Sequence, residues 1–291
     1  MIKKKLISNS KKIDFFLKKY INKQKYSSLI GPMKYGLLSG GKKIRSSVIL
    51  DIGKLYNVKL KKLINICAAV ECIHSYSLIH DDLPCMDNDS IRRGKPSTHI
   101  KYGESTAVLA GNSLLTLAFE IIADKKYKID SKSKIEIIKS LAFCSGHTGI
   151  AGGQELDLSF EKKRKNSKQI LDMQRKKTGK LFNFCCYAVG ILAKKNNKQK
   201  KFLSNLGEDL GLLFQLADDF LDVKSSKYLT GKPTKKDKLK GKSTLINLMG
   251  YKKAYKYANN LKINILRKLT KHGKKAKDLN ETIEFILGRN F

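Results

Sequence analysis

Proline is scarce in this sequence: Pro32, Pro84, Pro96 and Pro233 are the only four in 291 residues. So few helix breakers, all in expected connections, leave room for long uninterrupted helices. Tryptophan is absent, and arginine occurs only at positions 45, 92, 93, 164, 175, 267 and 289. Lysine carries most of the formal charge of +35. A protein that reads nucleic acid favours arginine forks, so this charge is read as lysine on solvated faces, the mark of an AT-rich coding bias, and no specific nucleic-acid partner is expected. The six cysteines form no CxxC or Cys/His metal spacing. Most fall in apolar stretches where cysteine acts as a small hydrophobe, which fits a reducing cytoplasm. Neither a Walker A loop nor a GxGxxG turn is present, which removes support for nucleotide binding. No apolar run reaches the roughly 18–20 residues of a membrane span. The opening MIKKKLISNSKKIDFFLKKY has neither the apolar centre of a signal peptide nor a transit composition. No Pro/Gly/Ser-rich linker divides the chain, so one domain over 1–291 is expected.

Helical periodicity runs through nearly all of the sequence, and alternating strands are lacking. Helices are expected at about 11–28, 41–56, 60–82, 103–126, 133–150, 167–195, 198–223, 245–272 and 278–288. Ser133 with Glu136, and Asp278 with Glu281, have capping-box spacing. Gly152-Gly153 should break or kink the run that continues into Gln154-Glu-Leu-Asp157. The lysine-rich stretch at about 224–243 reads as a mobile loop and a candidate lid.

Two acidic clusters of one type stand 137 residues apart: Asp81-Asp82-Leu-Pro-Cys-Met-Asp87 and Asp218-Asp219-Phe-Leu-Asp222. Each closes a long apolar stretch, so each is the polar tip of a buried helix. A lone DDxxD is often no more than a solvated helix end; two, in a basic chain, are a pattern. Carboxylates gathered in this way need cations. Oxygen donors suit Mg²⁺, which takes one or two carboxylates and shares its other positions with water and substrate phosphate. Asp218 and Asp222, four apart, share a helix face, with Gln215 three before Asp218 on it and Asp219 turned aside. Basic residues accompany glycine at Gly40-Gly41-Lys42-Lys43-Ile-Arg45, Arg92-Arg93-Gly94, Lys177-Thr178-Gly179 and Thr230-Gly231-Lys232, a composition suited to holding an anion. His74 lies seven residues, two helical turns, before Asp81 and is a candidate anion donor. The pattern points to diphosphate chemistry on magnesium.

Together these motifs resemble the trans-isoprenyl diphosphate synthase family, and within it the bacterial farnesyl diphosphate synthases. The resemblance covers about Met33 to Phe291 and rests on GGKKIR, AAVECIHSYSLIHDDLPCMDNDSIRRGKPSTH, YGES, GGQELDL, KTG, GLLFQLADDFLD and the GK…D…GKST segment. It implies an all-α, single-domain bundle of about ten or more helices around a deep central cavity, the isoprenoid synthase fold, in a cytoplasmic homodimer. It also implies a Mg²⁺-dependent prenyltransferase that joins isopentenyl diphosphate to dimethylallyl or geranyl diphosphate, giving farnesyl diphosphate. By this resemblance Asp81, Asp82 and Asp87 hold two Mg²⁺ ions and Asp218 a third. Arg92, Lys177, Thr178, Gln215 and Lys232 would bind the allylic diphosphate, and Lys42, Arg45, His74 and Arg93 isopentenyl diphosphate. The bacterial synthases carry an aromatic residue five before the first motif, where Tyr76 stands beside Ser77; this pair is expected to limit product length. The chain departs from the pattern at Ser46, where proline is common, at Asn88 and Ser90, which thin an acidic run, at Lys235, and in the ending Arg289-Asn290-Phe291. Other readings are a geranylgeranyl diphosphate synthase, a catalytically silent partner subunit, and, on charge alone, a nucleic-acid-binding protein.

Overall fold

The computed structural model describes residues 2–161, 163–230 and 244–289. The all-α expectation is met: apart from one two-stranded ribbon, the regular structure among the described residues is helical. Contacts divide the chain into two compact units, Met1–Lys139 with Ile191–Ala193, and Ser140–Gly190 with Lys194–Phe291.

The first unit is organised around α4 (Leu60–Asp81) and α6 (Glu104–Ala123). Small residues let the two helices approach closely: Cys67, Ala68, Ala69 and Cys72 on one, Ala107, Ala110, Gly111 and Ala118 on the other, all buried. Gly111 is required by its neighbour, since a Cβ there would lie 2.1 Å from His80 Nε2. Around this pair are α1 (Ile2–Ile21), α2 (Ile30–Leu37), α3 (Ile44–Leu55) and α5 (Thr98–Tyr102). α1 buries Leu6, Asn9, Ile13, Leu17 and Ile21 at three- to four-residue spacing and begins nine residues before its expected start. Pro32 lies in the first turn of α2, not in a connection; a proline fits there because first-turn amides have no partner within the helix. Pro96 lies in the ribbon formed by β1 (Ile91–Arg92) and β2 (Lys95–Pro96). α7 (Ser131–Ser145) starts two residues early, and its cap is Asp130, whose Oδ1 accepts from the Ser133 amide at 2.9 Å. Ser133 therefore stands inside the helix and caps nothing.

In the second unit, α8 (Ile150–Ser159), α9 (Ser167–Gln174), a five-residue π turn (Arg175–Gly179) and α10 (Lys180–Leu192) precede α11 (Asn197–Thr230). α12 (Leu245–Met249), α13 (Tyr251–Leu269) and α14 (Lys277–Leu287) follow. α11 buries Leu203, Leu206, Leu210, Leu213, Ala217 and Phe220 at alternating three- and four-residue steps, a continuous seam along its length. It runs to Thr230, so the first seven residues of the expected loop are helical; the remainder, with Lys232 and Lys235, lies outside the described residues. The capping box is Asn166 with Gln169, an N-x-x-Q signal not used in the sequence reading. α14 has Ala276 at its N-cap and no side-chain cap, so the spacing of Asp278 and Glu281 has no capping role.

Gly152-Gly153 produces no kink, because α8 runs straight through it. A Cβ on Gly153 would lie 2.1 Å from the Lys177 amide nitrogen, and one on Gly211 would lie 2.6 Å from Gly179 Cα. The two glycines allow α8 and α11 to close on the π turn. Two helices, Leu60–Asp81 and Glu104–Ala123, are long and apolar enough to cross a membrane by length and composition, contrary to the sequence reading; Leu60–Asp81 is mostly buried, as in the core of a globular protein.

Gly153→Ala is expected to destabilise the protein by about 1–3 kcal/mol in urea unfolding, because backbone must move to admit the methyl group. Gly31→Ala, where a Cβ meets nothing within 4 Å, should be neutral or stabilising. Equal effects at the two positions would refute the packing argument.

Candidate active site

Asp81 is the last residue of α4 and Asp82 its C-cap. The chain then coils tightly. The Asp87 amide donates to the Asp81 carbonyl at 2.8 Å, and the Asp89 amide to that of Asp82 at 3.2 Å, returning Asp87 beside Asp81 after the excursion through Pro84. Arg93 and Gly94 form the turn between β1 and β2, both at positive φ (53° and 73°), the two-residue geometry that matches strand twist. That hairpin brings Arg92 onto Asp82. Its Nε reaches Oδ1 at 3.0 Å and Oδ2 at 3.2 Å, and Nη2 also donates to Oδ1. Asp82 is 2% exposed. Burial pushes its carboxyl upward while Arg92 opposes the shift. Asp82 is thus engaged by a side chain.

Arg93 donates to Ser39 Oγ at 3.1 Å and to the Gly40 carbonyl. A Cβ on Gly41 would sit 2.8 Å from its guanidinium carbon, and Gly40 and Gly41 have φ of 90° and 109°. The GGKKIR and RRG segments are therefore brought together. Lys43, at the left-handed N-cap of α3, is buried with Asp14 at 3.1 Å and Glu71 at 3.7 Å. Ser46, which stands where proline is common in the family, donates to Glu71 at 2.6 Å and completes that cluster. Lys42 is exposed.

Arg45 Nη1 lies 3.3 Å from His74 Nε2. A guanidinium only donates, so Nε2 accepts and the imidazole proton belongs on Nδ1. Burial first, then Arg45, Arg93, Lys43 and Arg92, depress the His74 pKa well below its ordinary value. Of these cations, Lys43 is paired with Asp14 and Glu71, and Arg92 with Asp82. Tyr76 is buried and meets His80 edge to face at 5.7 Å, while His80 Nε2 donates to the Val108 carbonyl at 3.1 Å. Its hydroxyl is pushed up to about 12 by burial and by Asp81. Ser77 Oγ donates to the His74 carbonyl at 3.0 Å.

The second unit carries the other motif on α11. Asp219, read as turned aside, is buried and held on both oxygens: Gln174 Nε2 donates to Oδ2 at 3.0 Å and Gln215 Nε2 to Oδ1 at 2.9 Å. Gln215 therefore serves Asp219, four residues on, and receives the Thr178 hydroxyl on Oε1 at 2.7 Å. Burial, with Asp222 and Asp218 nearby, raises Asp219 to about 7. Asp218 pairs with Arg289 Nη2 at 2.9 Å. Lys177, on the π turn, is oriented by Asp157 Oδ2 at 2.6 Å. Gln174 and Asp157 were not singled out from the sequence, and Arg289 was noted only as part of the chain's ending; Asp157 had a signal in GGQELDL, and Gln174 had none.

Among the described residues no three His, Cys, Asp or Glu side chains gather into a ready metal cluster. Mg²⁺ keeps waters and shares phosphate oxygens and seldom uses an all-protein cage. Asp81, Asp87 and Asp218 are oxygen donors, none of them fully buried, and fit such an ion.

The chain matches the polyprenyl synthetase family over residues 27–284, and it belongs to that family. It is 38% identical over 268 residues to the farnesyl diphosphate synthase of Escherichia coli K12, covering 90% of this chain and 89% of that protein. Its structure resembles the apo form of an FPP/GFPP synthase from Zymomonas mobilis, with TM-score 0.88, 33% identity and 99% of both chains covered. It also resembles a geranyltransferase from Helicobacter pylori complexed with magnesium and isoprenyl diphosphate, with TM-score 0.80 and 30% identity over 98% of this chain and 96% of that one.

His74 is expected to remain neutral and Nδ1-protonated at pH 6, where an unperturbed histidine (pKa about 6.5) is mostly charged. The stability that its neutral form contributes is present above the unfolded pKa and is lost as pH falls through it toward the folded value. Ring-nitrogen NMR reads tautomer and titration together; a midpoint near 6.5 would contradict the arrangement with Arg45.

Proposed function

We propose that this chain is a Mg²⁺-dependent prenyltransferase that condenses isopentenyl diphosphate with an allylic diphosphate to give farnesyl diphosphate. The observation that carries this reading is the pairing of each acidic motif with donors: Arg92 on Asp82 in the first, and Gln215, itself bonded by Thr178, on Asp219 in the second. Family membership and the likeness to named synthases support it. Mg²⁺, three ions by the family pattern, supplies charge neutralisation for the departing pyrophosphate. Asp81, Asp87 and Asp218 would hold the metal, while Asp82 fixes Arg92.

The chain's own residues account for the rest. Lys177, aimed by Asp157, binds allylic phosphate oxygens, as does Arg92 through the edge it does not give to Asp82, and Thr178 joins them by turning its hydroxyl from Gln215 Oε1 to the phosphate. Lys232, outside the described residues, is assigned the same task. Lys42, Arg45 and Arg93 receive the diphosphate of isopentenyl diphosphate, and neutral His74 steers Arg45 without adding charge. The allylic C–O bond ionises, the isopentenyl double bond attacks the cation, and a proton is lost. The buried thiols are held well above neutrality by desolvation, as with Cys67, Cys72 and Cys186, so none is a nucleophile here. Pyrophosphate leaving the site is the base. The working form is a cytoplasmic homodimer.

Labelled isopentenyl diphosphate with Mg²⁺ and dimethylallyl or geranyl diphosphate, followed by product chromatography, is the direct test. Asp81→Ala and Asp218→Ala should each lower turnover by about a thousandfold or more with the fold retained, and chelation by EDTA should abolish it. Near-normal condensation by either variant would end the assignment, and a silent subunit would show no turnover in the unaltered chain.

Product length is assigned to Tyr76. At about 1.5 Å per residue its ring lies roughly 7–8 Å below Asp81, at the level a growing chain must pass. Tyr76→Ala should shift product from C15 toward C20 or longer in the same assay. Unchanged C15 product at unchanged stability would assign the limit to another residue.

A further inference from the structure

Arg289, two residues from the end of the chain, is 9% exposed and is held from three sides. Its Nε donates to the Ile286 carbonyl at 2.9 Å, its Nη2 to the Phe214 carbonyl at 3.4 Å, and its guanidinium carbon lies 4.3 Å from the centre of the Phe214 ring. The ring is itself fixed, packed against Phe182 at 5.3 Å. These contacts immobilise the guanidinium independently of any carboxylate, and from that position Nη2 reaches Asp218 Oδ1 at 2.9 Å.

The two arginine–aspartate pairs at the acidic motifs differ in kind. Arg92, itself 33% exposed, grips both oxygens of Asp82, whose side chain is 3% exposed, and removing Arg92 would leave a buried carboxylate. Arg289 reaches one oxygen of Asp218, and 38% of that side chain remains exposed. An aqueous cation can therefore approach the exposed part of Asp218, and because Arg289 is itself 7% exposed and fixed on Phe214, it is the Asp218 carboxylate that would change partner. Asp218 also needs a counter-ion when no metal is bound, because Asp219 is its neighbour and Asp222 lies one turn away.

We propose that Arg289 is an internal counter-ion that occupies the Asp218 carboxylate until a divalent cation takes it, so that metal loading at the second acidic motif is an exchange of cations. This rests on the reading of Asp218 as a metal ligand. Arg289 is a positioning residue: it presets the Asp218 carboxylate and lowers metal affinity by the fraction of protein in which the pair is made.

The test uses Mn²⁺ as a paramagnetic probe, with inorganic pyrophosphate at fixed concentration, on the full-length protein. Arg289→Met keeps an apolar stem on Phe214 and removes the charge. It is expected to bind Mn²⁺ about threefold to tenfold more tightly, while the metal-free protein melts at a lower temperature. Arg289→Lys, which keeps the charge but loses the planar stack, should shift affinity in the same direction by less, and it carries the test if Arg289→Met does not fold. In an Asp218→Asn background the gain from Arg289→Met should vanish. Unchanged or weaker Mn²⁺ binding by Arg289→Met, with the unaltered protein still binding, would overturn the counter-ion and leave the prenyltransferase reading standing. No Mn²⁺ binding by the unaltered protein would overturn both.

Discussion

Neighbouring carboxylates repel one another and lose solvation when packed, so each must find a cation or hydrogen-bond donors before the helix that presents it can be buried. Much of the local architecture follows from that requirement. Asp82 takes its cation from Arg92, and reaching it obliges the chain to coil after α4 and reverse in a two-residue hairpin. The reversal sets Arg93 against Gly40 and Gly41, so one ion pair also decides the conformation of a segment some fifty residues upstream. Asp219 takes a different solution, two glutamine amides and a carboxyl shifted toward neutrality.

Lys177 depends on close packing in the same way. A π turn inserts one residue into the helical ladder and re-aims the side chains it carries, a geometry often found at functional sites. Here the turn is gripped between α8 and α11, and Gly153 and Gly211 supply the space. Thr178 on the same turn bonds Gln215, so α11 and the π turn are registered by a hydrogen bond as well as by contact. Asp157, one helical turn beyond Gly153, then completes the orientation of Lys177. Two glycines, a threonine and an aspartate thus fix one lysine.

Much of this was legible in the sequence. α4, α6 and α11 are long, strongly apolar and free of proline, and their expected starts lie within one residue of the observed ones. The first acidic cluster closes α4 as expected, whereas the second lies inside α11, which runs eight residues past Asp222 and so does not end there; of the glycine-flanked basic segments, GGKKIR and RRG meet. Other features were misread because local spacing does not report on partners. Ser133 has capping-box spacing, but Asp130 lies just upstream and caps first. The double glycine in α8 has the look of a kink, yet its purpose is to admit another backbone. Gln215 shares a face with Asp218 and Asp219 alike, and only the position of Gln174 on a different helix selects Asp219.

The sequence by itself determined the helical class, the family and the two acidic motifs with their basic companions, because these depend on periodicity and residue type within a few turns of chain. Tertiary structure alone decided which carboxylate is held by which donor: Arg92 on Asp82, Arg289 on Asp218, Asp157 on Lys177, the glutamines on Asp219. The physical reason is range. Helix propensity and amphipathic pattern act over one to four residues, whereas charge pairing is set by distance in space, and Arg289 reaches Asp218 across seventy-one residues of sequence.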